Sequence, residues 1–350
     1  YCNYIVYPDV VAVSSDAFGA PGGVHSWNEF FRPAQILPNF YRGLAFSARD
    51  AKDENSTVAR ISSMKKALDG LVANGAVAMG ALNFPSDATS GSASSLFKDM
   101  FKVLSESLRS KPGALTFLGV RLNSNDDAKK FAFDVQKIGG LDCVVLQTHL
   151  SDTMTISESC ISHLVTYKSS LTPVPSFDNA MGAQAILNNS QSPLRVMFTS
   201  TLAVVDYVGA SGKSSPTEAE QSCEYNVALD LDVLCNVTSK MAFHTDKTNV
   251  AEKANYSVGT VAHFVSFETT STLEDKMNAY LNYSAAGWAA FDIERDVKAT
   301  CLDPQPQHRL GLMAAKIADF NKARKAEKQE QYPLPGKASL AFRKARVFCR

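Results

Sequence analysis

The sequence predicts an α/β fold built on a parallel sheet, closed or open, and three observations carry that expectation. The chain has 350 residues, long for an ordinary domain but usual for a single α/β barrel. Short apolar runs alternate with amphipathic stretches, the order that strand–helix units require. Several of those runs are continuous and β-branched, as strands buried on both faces are.

Taken in order, strands are expected at 4–13, 44–47, 76–84, 114–122, 143–148, 195–201, 258–267 and 288–293. Helical spacing lies between them. Val58, Ile61, Leu68, Leu71 and Val72 share one face, as do Leu96, Met100, Val103 and Leu104, with Leu108 one turn on. Phe131, Val135 and Ile138 make a third face. Ser271-Thr272-Leu273-Glu274 reads as a capping box opening a helix that runs through Tyr280. Leu310, Met313, Ile317 and Phe320 mark a final helix after Pro304 and Pro306. Residues 1–321 form the main unit. Within it, 205–255 reads as a long polar excursion with little core. Residues 322–350 form a basic C-terminal tail.

Composition narrows the function classes. Lys+Arg and Asp+Glu balance at 35 each, so no global field steers the chain toward nucleic acid. No apolar run approaches the roughly 18 residues of a membrane span. The seven cysteines, Cys2, Cys143, Cys160, Cys223, Cys235, Cys301 and Cys349, show no metal-ligand spacing. Five Asn-x-Ser/Thr sequons stand at Asn55, Asn188, Asn236, Asn255 and Asn282. With the cysteines, they point to a secreted, disulfide-bonded glycoprotein. The odd cysteine count leaves a free thiol, a cross-chain bond or a partner outside this segment. The chain opens on Tyr1 without a start Met or signal peptide, which reads as a mature, processed or otherwise trimmed end. Gly19-Ala20-Pro21-Gly22-Gly23 lacks the Lys-Ser/Thr of a phosphate loop and reads as a turn. No nucleophile elbow occurs. No metal or cofactor is expected.

The order of segments resembles family-18 glycoside hydrolases, in particular divergent secreted chitinase-like proteins of arthropods such as ticks. Cys2-Asn3-Tyr4-Ile5-Val6-Tyr7 is similar to that family's second strand, and the run from Ala76 to Phe84-Pro85 to its fourth. Residues 114–122 are similar to the fifth, Leu141 to His149 to the sixth, 194–201 to the seventh, and Gly287 to Asp296 to the eighth. The resemblance implies a (β/α)8 barrel of the TIM type.

The departures decide the expected function. In the family the fourth strand reads D-G-x-D-x-D-x-E; its Glu is the general acid, and an Asp two residues earlier orients the substrate's acetamido group. In this chain the matching positions are Ala76, Met79, Ala81 and Asn83. Asn83 can hydrogen-bond but has no proton to deliver, and loss of a positioned acid costs about 10²–10⁴-fold in rate. No catalytic residue is therefore assigned. On the sixth strand the family's Tyr-Asp becomes His149-Leu150, and on the eighth its sugar-stacking Trp becomes Phe291. Phe291, His149 and Asn83 are the ligand-binding candidates. For Phe291 the plain alternative is packing, and for His149 a core or loop histidine.

The chain starts at what resembles strand two, so a closed barrel needs its first strand from elsewhere. The segment from Ala341 to Cys349 alternates and carries a cysteine. It fills the strand-one slot in its own barrel or in a neighbour's, the latter giving a homo-oligomer or filament. The leading expectation is a secreted, non-catalytic chitinase-like protein that binds a glycan or another extracellular protein. The alternatives are a structural subunit of an extracellular assembly linked through the C-terminal segment, or a hydrolase with relocated carboxylates at Asp292, Glu294 and Asp296.

Overall fold

The computed structural model describes residues 3–20, 27, 30–31, 40–47, 54–86, 93–150, 160–169, 172–236, 241–284, 286–297, 301, 308–331 and 346–349. The chain begins with β1 (Tyr4–Ala12), against which the two residues of β2 (Phe18–Gly19) fold back antiparallel. Then come β3 (Tyr41–Ser47), α1 (Glu54–Ser63), α2 (Lys65–Ala73), β4 (Ala76–Pro85), α3 (Ala93–Leu108) and β5 (Leu115–Arg121). Next are α4 (Asn125–Val135), β6 (Cys143–Gln147), α5 (Phe177–Asn189) and β7 (Arg195–Thr201). Five strands follow, with no α-helix between them among the described residues: β8 (Val204–Val208), β9 (Tyr225–Leu229), β10 (Ala242–Asp246), β11 (Ala251–Val258) and β12 (Val261–Phe267). The chain then forms α6 (Thr270–Tyr280), β13 (Gly287–Phe291), α7 (Arg309–Gln331) and β14 (Arg346–Cys349).

Eight of these strands are parallel neighbours in the order β14, β13, β7, β6, β5, β4, β3, β1, and β14 pairs with β1 to close the sheet. This is a TIM-type (β/α)8 barrel. The strand-one slot is filled by β14 of the same chain: Phe348 and Cys349 lie opposite Tyr4 and Ile5 on one side, and Ala289 and Ala290 on the other. The basic tail therefore divides into the end of α7, residues 332–345 outside the described set, and a barrel strand.

Two apolar layers follow from strand alternation. Outward side chains such as Leu44, Met79, Leu118, Val144, Phe198 and Trp288 join Leu68, Met100, Phe131, Phe177 and Met313 of the helices in the larger core. Inward side chains fill the lumen. Burying each large side chain contributes about 1.5–3 kcal/mol. Ser124 and Ser176 cap α4 and α5 by accepting from the backbone N–H groups of Asp127 and Asn179. The capping box of α6 sits two residues before the expected one. Thr269 is the cap and Thr272 its reciprocal partner, because the chain turns into the helix directly after β12.

The stretch 205–255 is not a coreless excursion. Its strands β8, β9, β10 and β11 join β12 in a five-stranded antiparallel sheet, in the order β10-β11-β12-β8-β9, with a small apolar cluster on each face. β9 and β11 are partly exposed, so their composition reads as polar. The expected strand at 258–267 is β12 of this sheet and takes no part in the barrel.

Candidate functional site

The lumen is where this architecture places chemistry, and the inner cluster shows what occupies it. Tyr4 and Val6 of β1, Ala45 of β3, Ala78 and Leu82 of β4, Phe117 of β5, Val145 of β6, Met197 of β7 and Phe291 of β13 point inward, all but fully buried. On β4 the inward positions are therefore Ala78, Gly80 and Leu82. Ala76, Met79 and Ala81, which the sequence comparison assigned to the barrel interior, instead belong to the layer beneath the helices. Further along, the pairing of β4 with β5 slips between Ala81 and Phe84, and Asn83 takes a left-handed φ of 64°. An asparagine tolerates that conformation better than most residues.

Neither parity of β4 carries a carboxylate, and the inward one has no room for one. A Cβ added at Gly80 would meet the Phe117 carbonyl oxygen at 1.9 Å, and one at Gly119 would meet the Leu82 side chain at 2.3 Å. These glycines let Phe117 and Leu82 fill the space.

At the C-terminal ends of the strands the lumen is lined by amides, hydroxyls and an imidazole. Asn83 Oδ1 accepts from Gln147 Nε2 at 2.8 Å. His149 Nδ1 lies 2.6 Å from Thr199 Oγ1, which also accepts the Thr148 N–H at 2.8 Å. The His149 ring stands 4.5 Å from that of Phe291, tilted by 52°. The structure thus joins His149 and Phe291 directly, and Asn83 to Gln147 on the neighbouring strand. His149 and Phe291 are 0% and 1% exposed and Asn83 9%. The Phe291 face is covered by the His149 ring in this conformation. Gln147, which the sequence reading passed over, is 2% exposed, and its Oε1 is buried without a hydrogen-bond partner. Its only sequence signal was its inward parity on β6.

The relocated carboxylates separate from one another. Asp292, with a left-handed φ of 56°, accepts from Thr201 Oγ1 at 2.5 Å. Glu294 is exposed. Asp296 pairs with Arg309 Nε at 3.1 Å and accepts the Leu310 N–H at 3.0 Å. Another acid on the barrel wall, Asp9, lies where β1 slips against β3 between Tyr7 and Val10, with φ 56° and a buried Oδ1. The sequence shows a strand over 4–13 and carries no signal that singles out Asp9.

Among the described residues two disulfides form, Cys160–Cys223 and Cys235–Cys301. Cys143 is a free, fully buried thiol on β6, and burial pushes its pKa up to about 12, which keeps it inert. Cys349 lies on β14, and Cys2 lies outside the described residues. The sequon asparagines Asn188, Asn236, Asn255 and Asn282 are exposed; Asn55 lies at the start of α1. No group of His, Cys, Asp and Glu among the described residues is placed to hold a metal ion. No helix among them is long and apolar enough to cross a membrane.

No protein-family model and no curated protein matches the sequence. Solved structures do match. A family GH18 chitinase from Cycas revoluta, solved with allosamidin, superposes with a TM-score of 0.61 at 12% identity, over 84% of this chain and 89% of that one. A chitinase from Chromobacterium violaceum gives 0.58 at 11% identity, over 82% and 86%. A class V chitinase from Nicotiana tobaccum gives 0.58 at 10% identity, over 84% and 88%. The chain has the fold of the GH18 chitinases, in a divergent form.

Proposed function

We propose that this chain is a secreted, non-catalytic chitinase-fold protein that acts as a binding scaffold for a glycan or an extracellular protein. One observation carries the reading. The strand that bears the acids in the resembling family has none in either parity, and Phe117 and Leu82 fill the space an inward acid would need. The nearby polar groups, Asn83, Gln147, Thr199 and His149, form hydrogen bonds among themselves. None of these is a carboxylate able to protonate a leaving group. Two disulfides and four exposed sequon asparagines support passage through an oxidising, glycosylating compartment. The filament alternative draws no support here, since β14 sits between β13 and β1 of its own chain.

Turnover of a chromogenic chito-oligosaccharide tests the reading, with Asp9→Asn and Asp292→Asn beside the unmodified protein. The expected result is no turnover by any of the three. Turnover that disappears in either variant would show a working carboxylate and overturn the proposal.

A further inference from the structure

The described residues also enclose a cavity of about 550 Å³ on the outer wall of the barrel, away from the lumen. Phe18, Trp27 and Phe31 form its aromatic side. Its other side is a stripe of α2, on which Lys66, Gly70 and Asn74 recur every four residues and so share a helix face. We propose that this cavity binds a neutral saccharide, which places the ligand site of the scaffold outside the barrel mouth.

Gly70 is the first reason. Glycine is the most costly residue in a helix after proline. Gly70 has no left-handed φ to demand it, and a Cβ placed there meets nothing within 4 Å. Neither the backbone nor packing against a neighbour requires glycine at this position. What its bare surface does is keep the cavity wall flat. The second reason is the kind of lining. A pyranose ring offers apolar C–H faces and an edge of hydroxyls. Trp27 and Phe31, partly exposed and edge to face at 4.9 Å, supply aromatic surface for the former. The exposed side chains of Asn74, Lys66 and Asp16 supply amide, donor and acceptor groups for the latter. Among the described residues the rim carries one cation and one carboxylate and so no net charge, which favours a neutral sugar over an acidic one. The volume lies within the range of about 300–1,000 Å³ usual for small-ligand sites.

This inference rests on the scaffold reading, and its test is separable from that of turnover. Full-length protein is titrated calorimetrically with chitotetraose, cellotetraose and mannotetraose, then again as Gly70→Met and Trp27→Ala. The expected result is binding of at least one tetrasaccharide, weakened tenfold or more by each substitution. Gly70→Met should melt at or above the unmodified protein, because methionine favours the helix and meets open space. Binding of none of the three sugars, or binding that survives Gly70→Met, overturns the proposal. Hydrolysis of chito-oligosaccharide would sink the scaffold reading while leaving the Gly70 result to stand by itself.

Discussion

At the mouth of the barrel the buried polar groups are amides, hydroxyls and an imidazole: Asn83 with Gln147, and Thr199 with Thr148 and His149. At the joint between barrel and five-stranded sheet they are charges. Lys276 of α6 is wholly buried and donates to Glu268, which follows β12. Arg309 of α7 is 1% exposed. It holds Asp296, and it donates to the carbonyls of Glu268 at 2.9 Å and Leu202 at 2.7 Å. Leu202 follows β7 and Glu268 ends the excursion, so one guanidinium ties both ends of the inserted sheet to the barrel. The contrast teaches where this molecule keeps buried charge. It keeps it where segments must be fixed, while the Asn83–Gln147 and Thr148–Thr199–His149 groups at the mouth include no carboxylate.

The largest effect should come from breaking the joint. Lys276→Met leaves Glu268 buried without its cation, and such a change costs about 3–5 kcal/mol. Burial pulls the Lys276 pKa down while Glu268 pulls it back up, so the pair depends on its partner being present. Urea denaturation should show most of the loss restored by adding Glu268→Leu. If the single variant is as stable as the parent, the joint is not held by charge.

Next comes the Cys160–Cys223 disulfide, which ties the segment after β6 to the residues just before β9 across 63 residues. Replacing both cysteines by serine should cost about 2–4 kcal/mol. Hydrogen exchange should rise in β8 and β9 and not in β4 or β5. Equal rises in both regions would erase the distinction between barrel and sheet.

Gly80→Ala examines the lumen from its own side. Its methyl would collide with the Phe117 carbonyl, and overpacking of this kind costs about 1–3 kcal/mol. A melting midpoint equal to the parent's would mean the lumen has room and would reopen it as a ligand site.

The smallest effect lies in the sheet. Asp206 accepts from Tyr256 at 3.0 Å and faces His263 Nδ1 at 3.0 Å. Burial raises its carboxyl above the ordinary 3.8, with His263 and Tyr256 opposing that shift. A folded-state pKa above the unfolded one means stability falls as pH rises upward from 3.8. Asp206→Asn should flatten that slope in thermal melts between pH 3 and 6. An unchanged slope would assign it to other groups.

Much of this architecture was legible in the sequence because it depends on local pattern. The continuous apolar runs at 76–84, 143–148 and 195–201 became β4, β6 and β7, and the alternating tail supplied a barrel strand. The five-stranded sheet was less visible. Its strand β9 shows four of five residues partly or fully exposed around a single buried alanine, and antiparallel pairing depends on partners remote in sequence. The setting of Asn83 was hidden for a related reason. Alternation predicts facing only while a strand is regular, and the slip before Phe84 moves Asn83 without changing the spacing of apolar residues. The Asn83–Gln147 bond and the Glu268–Lys276 pair are products of the closed barrel and had no sequence signal of their own.

The seam between β1 and β14 has a consequence for how the molecule is made. Tyr4 and Ile5 are translated hundreds of residues before their partners Phe348 and Cys349. Until then both edges of the future seam are open, and loops that close over so long a stretch form slowly. The barrel therefore closes only once β14 has been made, whichever of its other strands have already paired.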